Sequence, residues 1–194
     1  FKDHGKIFRS NEINVQNSID PFYIEDRGKK YLFWGSFRGI YGIELSNDGL
    51  SVKKGAKLHQ VAGTAYEGTY IHKKDDYYYF FASIGTCCEG LKSTYTTVVG
   101  RSKKLFGPYV DKNGNKMLDN NHEILIHQNE SFVGTGHNSE IVRDKAGNDW
   151  VLYHAVSTTS PGGRVLMLDK IDWKDGWPSV SGNSPSLEFE RPVL

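Results

Sequence analysis

The 194 residues carry a formal charge of +1, with Lys and Arg mixed among Asp and Glu, so neither a basic stripe for a nucleic-acid backbone nor an acidic tail is present. The chain is long enough to bury a sizeable core as one domain, and its many Gly, Tyr, Phe and Trp residues favour strands and turns over helices. No apolar run reaches the roughly 20 residues that a membrane-spanning helix requires, so a soluble protein with no nucleic-acid or membrane partner is expected.

The first residues, Phe1-Lys2-Asp3-His4-Gly5, lack the charged start, apolar stretch and small-residue cleavage site of a signal peptide. Either a signal has been removed or the chain begins partway through a longer protein. From Pro21 to Ser36, two β-prone apolar runs, Phe22-Tyr23-Ile24 and Tyr31-Leu32-Phe33-Trp34, flank a charged turn at Asp26-Arg27-Gly28, which is a hairpin signature. A second copy runs from Gly68 to Ser83 with its turn at Lys74-Asp75-Asp76, and a third from Asn138 to Ala155 with its turn at Lys145-Ala146-Gly147. The run Tyr77 to Phe81 suits a strand buried on both faces.

Each hairpin leads into another strand-like stretch: Gly39–Leu45, Tyr95–Val99 and Arg164–Leu168. Polar turns and further short strands follow, near Ser46–Gly49, Lys104–Pro108 and Trp173–Pro178. Four short antiparallel strands repeated at a spacing of about 50 residues predict the blades of a β-propeller. The fold class is therefore all-β, with repeats near 18–65, 66–130 and 131–184 in a single, partial domain covering 1–194. A β-sandwich is the alternative, but it leaves the repeat of whole four-strand units unexplained. Propellers close with about four to eight blades, and only three are visible here. The stretch Phe1 to Asn17 is expected to supply an outer strand and connection of another, with the missing blades upstream. The only cysteines, the neighbours Cys87 and Cys88, make no disulfide framework, and two packed thiols are expected.

Aligning the copies puts Asp20, Glu67 and His137 at one equivalent position, just before the first strand of each repeat. Each alone reads as a turn residue. Innermost strands line a propeller's axis, so three such residues in register point to one site at the mouth of a channel. Glycoside hydrolysis requires a carboxylic acid to protonate the leaving oxygen and a second carboxylate to activate water or attack, and a neighbouring carboxylate raises the pKa of the acid. Tyr66, Tyr70 and Trp34 could offer flat faces to sugar rings, although strand aromatics are more often core. His137 could ligate a metal, directly or through water, or only hydrogen-bond within the channel.

The segment Asn17-Ser18-Ile19-Asp20-Pro21-Phe22 resembles the Ile-Asp-Pro segment of glycoside hydrolase family 43. Tyr66-Glu67-Gly68-Thr69-Tyr70-Ile71 is similar to that family's Glu-Gly/Ala-Pro-Tyr-Ile segment, with Thr69 where Pro is usual, and Gly134-Thr135-Gly136-His137-Asn138 to its Gly-Pro-Gly-His-Asn segment. Gly35-Ser36-Phe37 with Gly39-Ile40, and Ser83-Ile84-Gly85-Thr86-Cys87-Cys88-Glu89-Gly90 running into Ser93-Thr94-Tyr95 and Gly100-Arg101-Ser102, resemble its endo-1,5-α-L-arabinanase branch.

The resemblance implies a five-bladed propeller that hydrolyses arabinan with inversion. Glu67 would be the general acid, and Asp20 would tune its pKa and orient the sugar. Asn17 and Ser36 would touch substrate. His137 would hold a calcium or similar ion, largely through waters, and no organic cofactor is implied. Arabinan or an arabino- or xylo-oligosaccharide would be the ligand, and the protein would be secreted, periplasmic or on the cell surface. The family's general base is an Asp in an early blade, usually followed by Pro, and the only Asp-Pro here is Asp20-Pro21. The chain is therefore expected to carry the acid without the base and to be inactive without its upstream portion, whether that is a separate chain or part of a longer precursor. A β-xylosidase or α-L-arabinofuranosidase of the same family and a non-catalytic carbohydrate-binding propeller are the rival readings. The Trp-Asp or kelch-like marks of a protein-interaction propeller are missing.

Overall fold

The charged turn at Asp26-Arg27-Gly28 closes as predicted. Arg27 and Gly28 both adopt positive φ, 51° and 74°, the backbone of a tight two-residue hairpin turn that suits the strands' right-handed twist. In the computed structural model, which describes residues 2–160, 162–188 and 191–193, this turn joins β1 (Phe22–Asp26) to β2 (Lys29–Trp34), with Phe22 opposite Phe33 and Asp26 opposite Lys29. β3 (Ile40–Glu44) and β4 (His59–Ala62) complete a four-stranded antiparallel sheet of order β1-β2-β3-β4.

A second sheet of order β5-β6-β7-β8 is built from Glu67–Lys74, Tyr77–Ile84, Thr96–Ser102 and Glu123–Ile126. The apolar run in β6 is buried at six consecutive positions from Tyr78 to Ser83, so both faces of that strand are covered, as its sequence requires. The third sheet has β9 (Phe132–Gly136) and β10 (Ile141–Arg143), both paired with β11 (Asp149–Ser157), then β12 (Arg164–Lys174) and β13 (Trp177–Ser179). Its first strand is thus interrupted, and the break from 137 to 140 begins at His137. The hairpin expected from Asn138 to Ala155 forms as β10 and β11, turning between Arg143 and Asp149, and the left-handed backbone of His137, φ 48°, sets it apart from β9.

The described residues group into two compact units, one running to Phe80 with Arg101–Asn121 added, the other comprising Phe81–Gly100 and the chain from His122 onward. In the first unit, Trp34, Val15, Ile43 and Leu45 form a buried cluster, with Phe8 and Ile13 packed against it. The Phe8 and Trp34 rings lie 4.7 Å apart. Burying one such large apolar side chain contributes roughly 1.5–3 kcal/mol. A second aromatic group centres on Phe106, stacked on His59 at 4.4 Å and tilted on Phe33 at 5.4 Å. Gly42 permits this packing, since a Cβ there would collide with the Phe33 ring.

Two expectations require correction. The segment before Asn17 holds no strand among the described residues, Phe1 lying outside them. It forms instead the short helix α1 (Ser10–Ile13). Glu12 accepts the Arg9 backbone N–H at 2.9 Å and Asn14 ends the turn in left-handed geometry, local pairings that outcompete an unpartnered edge strand. Cys87 and Cys88, expected as thiols, are joined to each other in a disulfide across a Cα–Cα distance of 3.8 Å.

Asp26 shows how the first unit uses a buried charge. Its carboxylate accepts the Lys73 ammonium at 2.6 Å and the Tyr78 hydroxyl at 2.8 Å. Burial alone would raise its pKa, but Lys73, Tyr78 and Arg27 together hold it below the usual carboxylate value. Such a group stabilises the fold above its unfolded pKa of about 3.9, and that stability is lost as pH falls through the lower folded value. Asp26→Asn should cost about 1–3 kcal/mol near neutral pH and flatten the acid-side fall in stability, measured by denaturant unfolding across the pH range. Identical pH slopes in the two proteins would contradict the assignment.

Candidate active site

The start of β1 and the start of β5 carry the two predicted carboxylates, and β5 packs against β1 and β2. Asp20 lies just ahead of β1 with φ 54°. A non-glycine residue at positive φ is uncommon, and the following Pro21 further restricts its backbone. Such outliers persist where surrounding contacts over-determine them, and they collect at functional sites. Here the contact is the Asp20 carboxylate, whose Oδ2 accepts the backbone N–H of Gly68 at 3.1 Å. Gly68 directly follows Glu67, so Asp20 is tied to the peptide that carries the second carboxylate.

Glu67 is buried, 8% exposed. Its Oε2 accepts the hydroxyl of Ser36 at 2.8 Å, and Ser36 is itself 2% exposed. The Asn17 side-chain amide donates to the Ser36 carbonyl at 2.9 Å. Two backbone bonds fix the same loops, Gly35 N–H to the Ile19 carbonyl and Phe37 N–H to the Tyr66 carbonyl, each 2.9 Å. Gly35, at φ 132°, is required because a Cβ there would collide with the Gly39 carbonyl. Asn17, Asp20, Ser36 and Glu67 are thus brought together in one hydrogen-bonded group within the first unit.

His137 belongs to the second unit. Its backbone N–H donates to the Ser83 hydroxyl at 2.8 Å, and its Nδ1 lies 3.5 Å from the Tyr95 hydroxyl. The imidazole is exposed. The glycines of Gly134-Thr135-Gly136 are explained by packing: a Cβ on Gly136 would strike the Tyr95 ring, and one on Gly134 would crowd the Ser93 side chain. Among the described residues no three His, Cys, Asp or Glu side chains gather to hold a metal ion. Hard cations such as calcium take six to eight oxygen ligands, so one imidazole does not amount to a protein-built calcium site.

Two of the three aromatic platforms named from the sequence are core residues. Trp34 is 1% exposed in the cluster with Val15 and Ile43. Tyr66 is fully buried, donates its hydroxyl to the Asn121 carbonyl at 3.1 Å, and has its pKa pushed up by burial. Tyr70 is half-buried, edge-on to Phe22 at 5.2 Å. The exposed apolar side chains next in sequence to Ser36 and Asp20 are Phe37 and Ile19, 36% and 48% exposed. Phe37 could have been found from its setting: an aromatic between Gly35 and Gly39, off any strand, held at φ 50°.

Thr69, standing where the resembled family has Pro, is 7% exposed, and its hydroxyl has no hydrogen-bond partner. A buried hydroxyl left unpaired costs about 1–3 kcal/mol. Thr69→Val, which keeps the shape and removes the hydroxyl, should therefore leave stability unchanged or raise it by up to about 1 kcal/mol in denaturant unfolding. A marked loss would mean that the hydroxyl is satisfied in solution.

The profile of Glycosyl hydrolases family 43 matches residues 1–178. The extracellular endo-α-(1→5)-L-arabinanase 1 of Bacillus subtilis is 34% identical over 186 residues, covering 92% of this chain and 55% of that protein. The extracellular exo-α-(1→5)-L-arabinofuranosidase ArbA of Cellvibrio japonicus is 35% identical over 198 residues, covering 93% and 56%. A Cellvibrio cellulosa α-L-arabinanase, solved as a complex with arabinohexaose, superposes with a TM-score of 0.79 at 34% identity, covering 85% of this chain and 57% of that one. The chain spans little more than half the length of the curated relatives it matches. Its three antiparallel sheets, two of four strands and one of five, are those of the five-bladed β-propeller fold, of which it supplies about three blades. By sequence and by fold, the chain belongs to glycosyl hydrolase family 43.

Proposed function

We propose that the protein carrying this chain hydrolyses α-1,5-linked arabinan outside the cell, with Glu67 as general acid and Asp20 as the group that orients the sugar. The observation that carries this reading is the pair of bonds at the start of β5: Ser36 to Glu67 at 2.8 Å, and Gly68 N–H to Asp20 at 3.1 Å. Together they fix two carboxylates to neighbouring residues of one strand end. The relatives named as extracellular arabinan-cleaving enzymes support the substrate class and the location.

The chemistry assigned to Glu67 is protonation of the glycosidic oxygen as the bond breaks. Because Ser36 donates to Oε2, the carboxyl group of Glu67 is held in one orientation. Asp20, held by a backbone N–H, stays in place as an acceptor for sugar hydroxyls. Asn17 acts through Ser36, fixing the backbone from which the serine hydroxyl reaches Glu67. Inverting hydrolysis also needs a carboxylate base about 6.5–9.5 Å from the acid with room for water between. Asp20 is committed to orientation, so the base is assigned to another carboxylate of the whole protein. Any ion near His137 would take one imidazole and otherwise water, and no step of this reaction uses it.

In the enzyme that carries the chain, Glu67→Gln should lower kcat on linear arabinan by about a hundredfold to ten-thousandfold, with oligosaccharide binding nearly unchanged. Wild-type turnover in that variant would refute the acid assignment, and turnover of xylo-oligosaccharides in place of arabinan would refute the substrate. Ser36→Ala leaves the acid in place but frees its rotamer. It should reduce kcat by about fivefold to tenfold, for a lost hydrogen bond of about 1–1.5 kcal/mol, and shift the pH profile of kcat. An unchanged rate and profile would remove Ser36 from the machinery.

A further inference from the structure

The opposite end of β1 from Asp20 carries a different chemistry. Asp26 ends that strand beside a cleft of about 310 Å³, whose walls also include Arg27, Lys29, Lys103 and Lys104. Four cationic side chains thus surround one carboxylate, on a chain whose formal charge is only +1. That carboxylate is already engaged, by Lys73 at 2.6 Å and Tyr78 at 2.8 Å. Arg27, 80% exposed, stands 3.8 Å from it. Lys29, 55% exposed, reaches Glu44 at 3.7 Å, but Lys53 holds the same oxygen more closely.

Lys103 and Lys104 are exposed. Lys103 lies 5.7 Å from the Tyr77 ring centroid, on which Arg101 also stacks at 4.5 Å. Among the described residues neither lysine is held in an ion pair. Between these cations, Tyr31 and Leu105 supply an apolar floor. Cations set around an apolar floor suit a ligand with carboxylates on a carbohydrate frame, whose C–H faces pack while its charges pair.

We infer that this cleft binds a uronate-bearing polysaccharide segment, a carbohydrate-anchoring site separate from the carboxylates at the far end of β1. The inference rests on the arabinan reading above for its substrate class: arabinan is neutral, and uronates are the acidic sugars of plant polysaccharide. An anchor for the acidic part would raise the effective concentration of the neutral chain at the carboxylate site, with no new contact to the scissile bond.

Affinity electrophoresis and calorimetry with polygalacturonate test this, comparing wild type with the double variant Lys103→Glu/Lys104→Glu. Fully methyl-esterified polygalacturonate and heparin serve as controls. Wild type should bind polygalacturonate and weaken with added salt, the double variant should bind about tenfold more weakly, and the esterified polymer should bind neither protein. Turnover of short neutral arabino-oligosaccharides should be the same in both. Equal affinity in the two proteins, no binding by wild type, or heparin binding as tight as polygalacturonate would each overturn the inference. Failure of the arabinan reading would look different: polygalacturonate binding intact, with no turnover of arabinan.

Discussion

One backbone N–H, that of Gly68, connects the two carboxylates on which the chemistry depends. By donating to Asp20 it ties the residue before β1 to the residue after Glu67, so the geometry of one acid is inherited by the other. The bond also accounts for the positive φ of Asp20, which costs free energy that a local turn alone would not repay. Ser36, between β2 and β3, adds the second constraint by fixing Glu67 directly. Three loops of the first unit therefore converge through hydrogen bonds on one strand end, and rigid β-strands behind them hold the arrangement still.

Much of this was legible in the sequence because β-hairpins announce themselves through turn residues and alternating apolar runs. Arg27-Gly28 marked a turn that the backbone angles bear out, and the Tyr77–Phe81 run marked a strand covered on both faces. What the sequence concealed depended on packing. Trp34 and Tyr66 read as sugar platforms because an aromatic in a strand looks the same whether it faces ligand or core. Only the packing of Phe8, Val15 and Ile43 on Trp34 decides the matter. The helix at Ser10–Ile13 was invisible because four residues have no periodicity to detect, and it exists through its capping contacts. The Cys87–Cys88 bond runs against the sequence reading, which favours two thiols because adjacent cysteines make no disulfide framework.

Glycines and left-handed residues carry a disproportionate share of the specification. Gly35 makes room for a carbonyl, Gly42 for the Phe33 ring and Gly136 for the Tyr95 ring. Each is placed where a side chain would force two close-packed elements apart, and interiors packed at near-crystalline density have little room to yield. Asp20 and His137, equivalent in the sequence repeat, share left-handed backbones of 54° and 48°. Glu67, the third equivalent position, is instead the first residue of β5, so the repeat sets a polar residue at a strand start without setting one backbone shape.

The most direct measurement of the central claim is a crystal structure of the Glu67→Gln protein with an arabino-oligosaccharide bound. The account predicts a glycosidic oxygen within hydrogen-bond distance of the residue-67 side chain, with Asp20 accepting from hydroxyls of an adjoining sugar. An oligosaccharide bound with neither side chain in contact would contradict it.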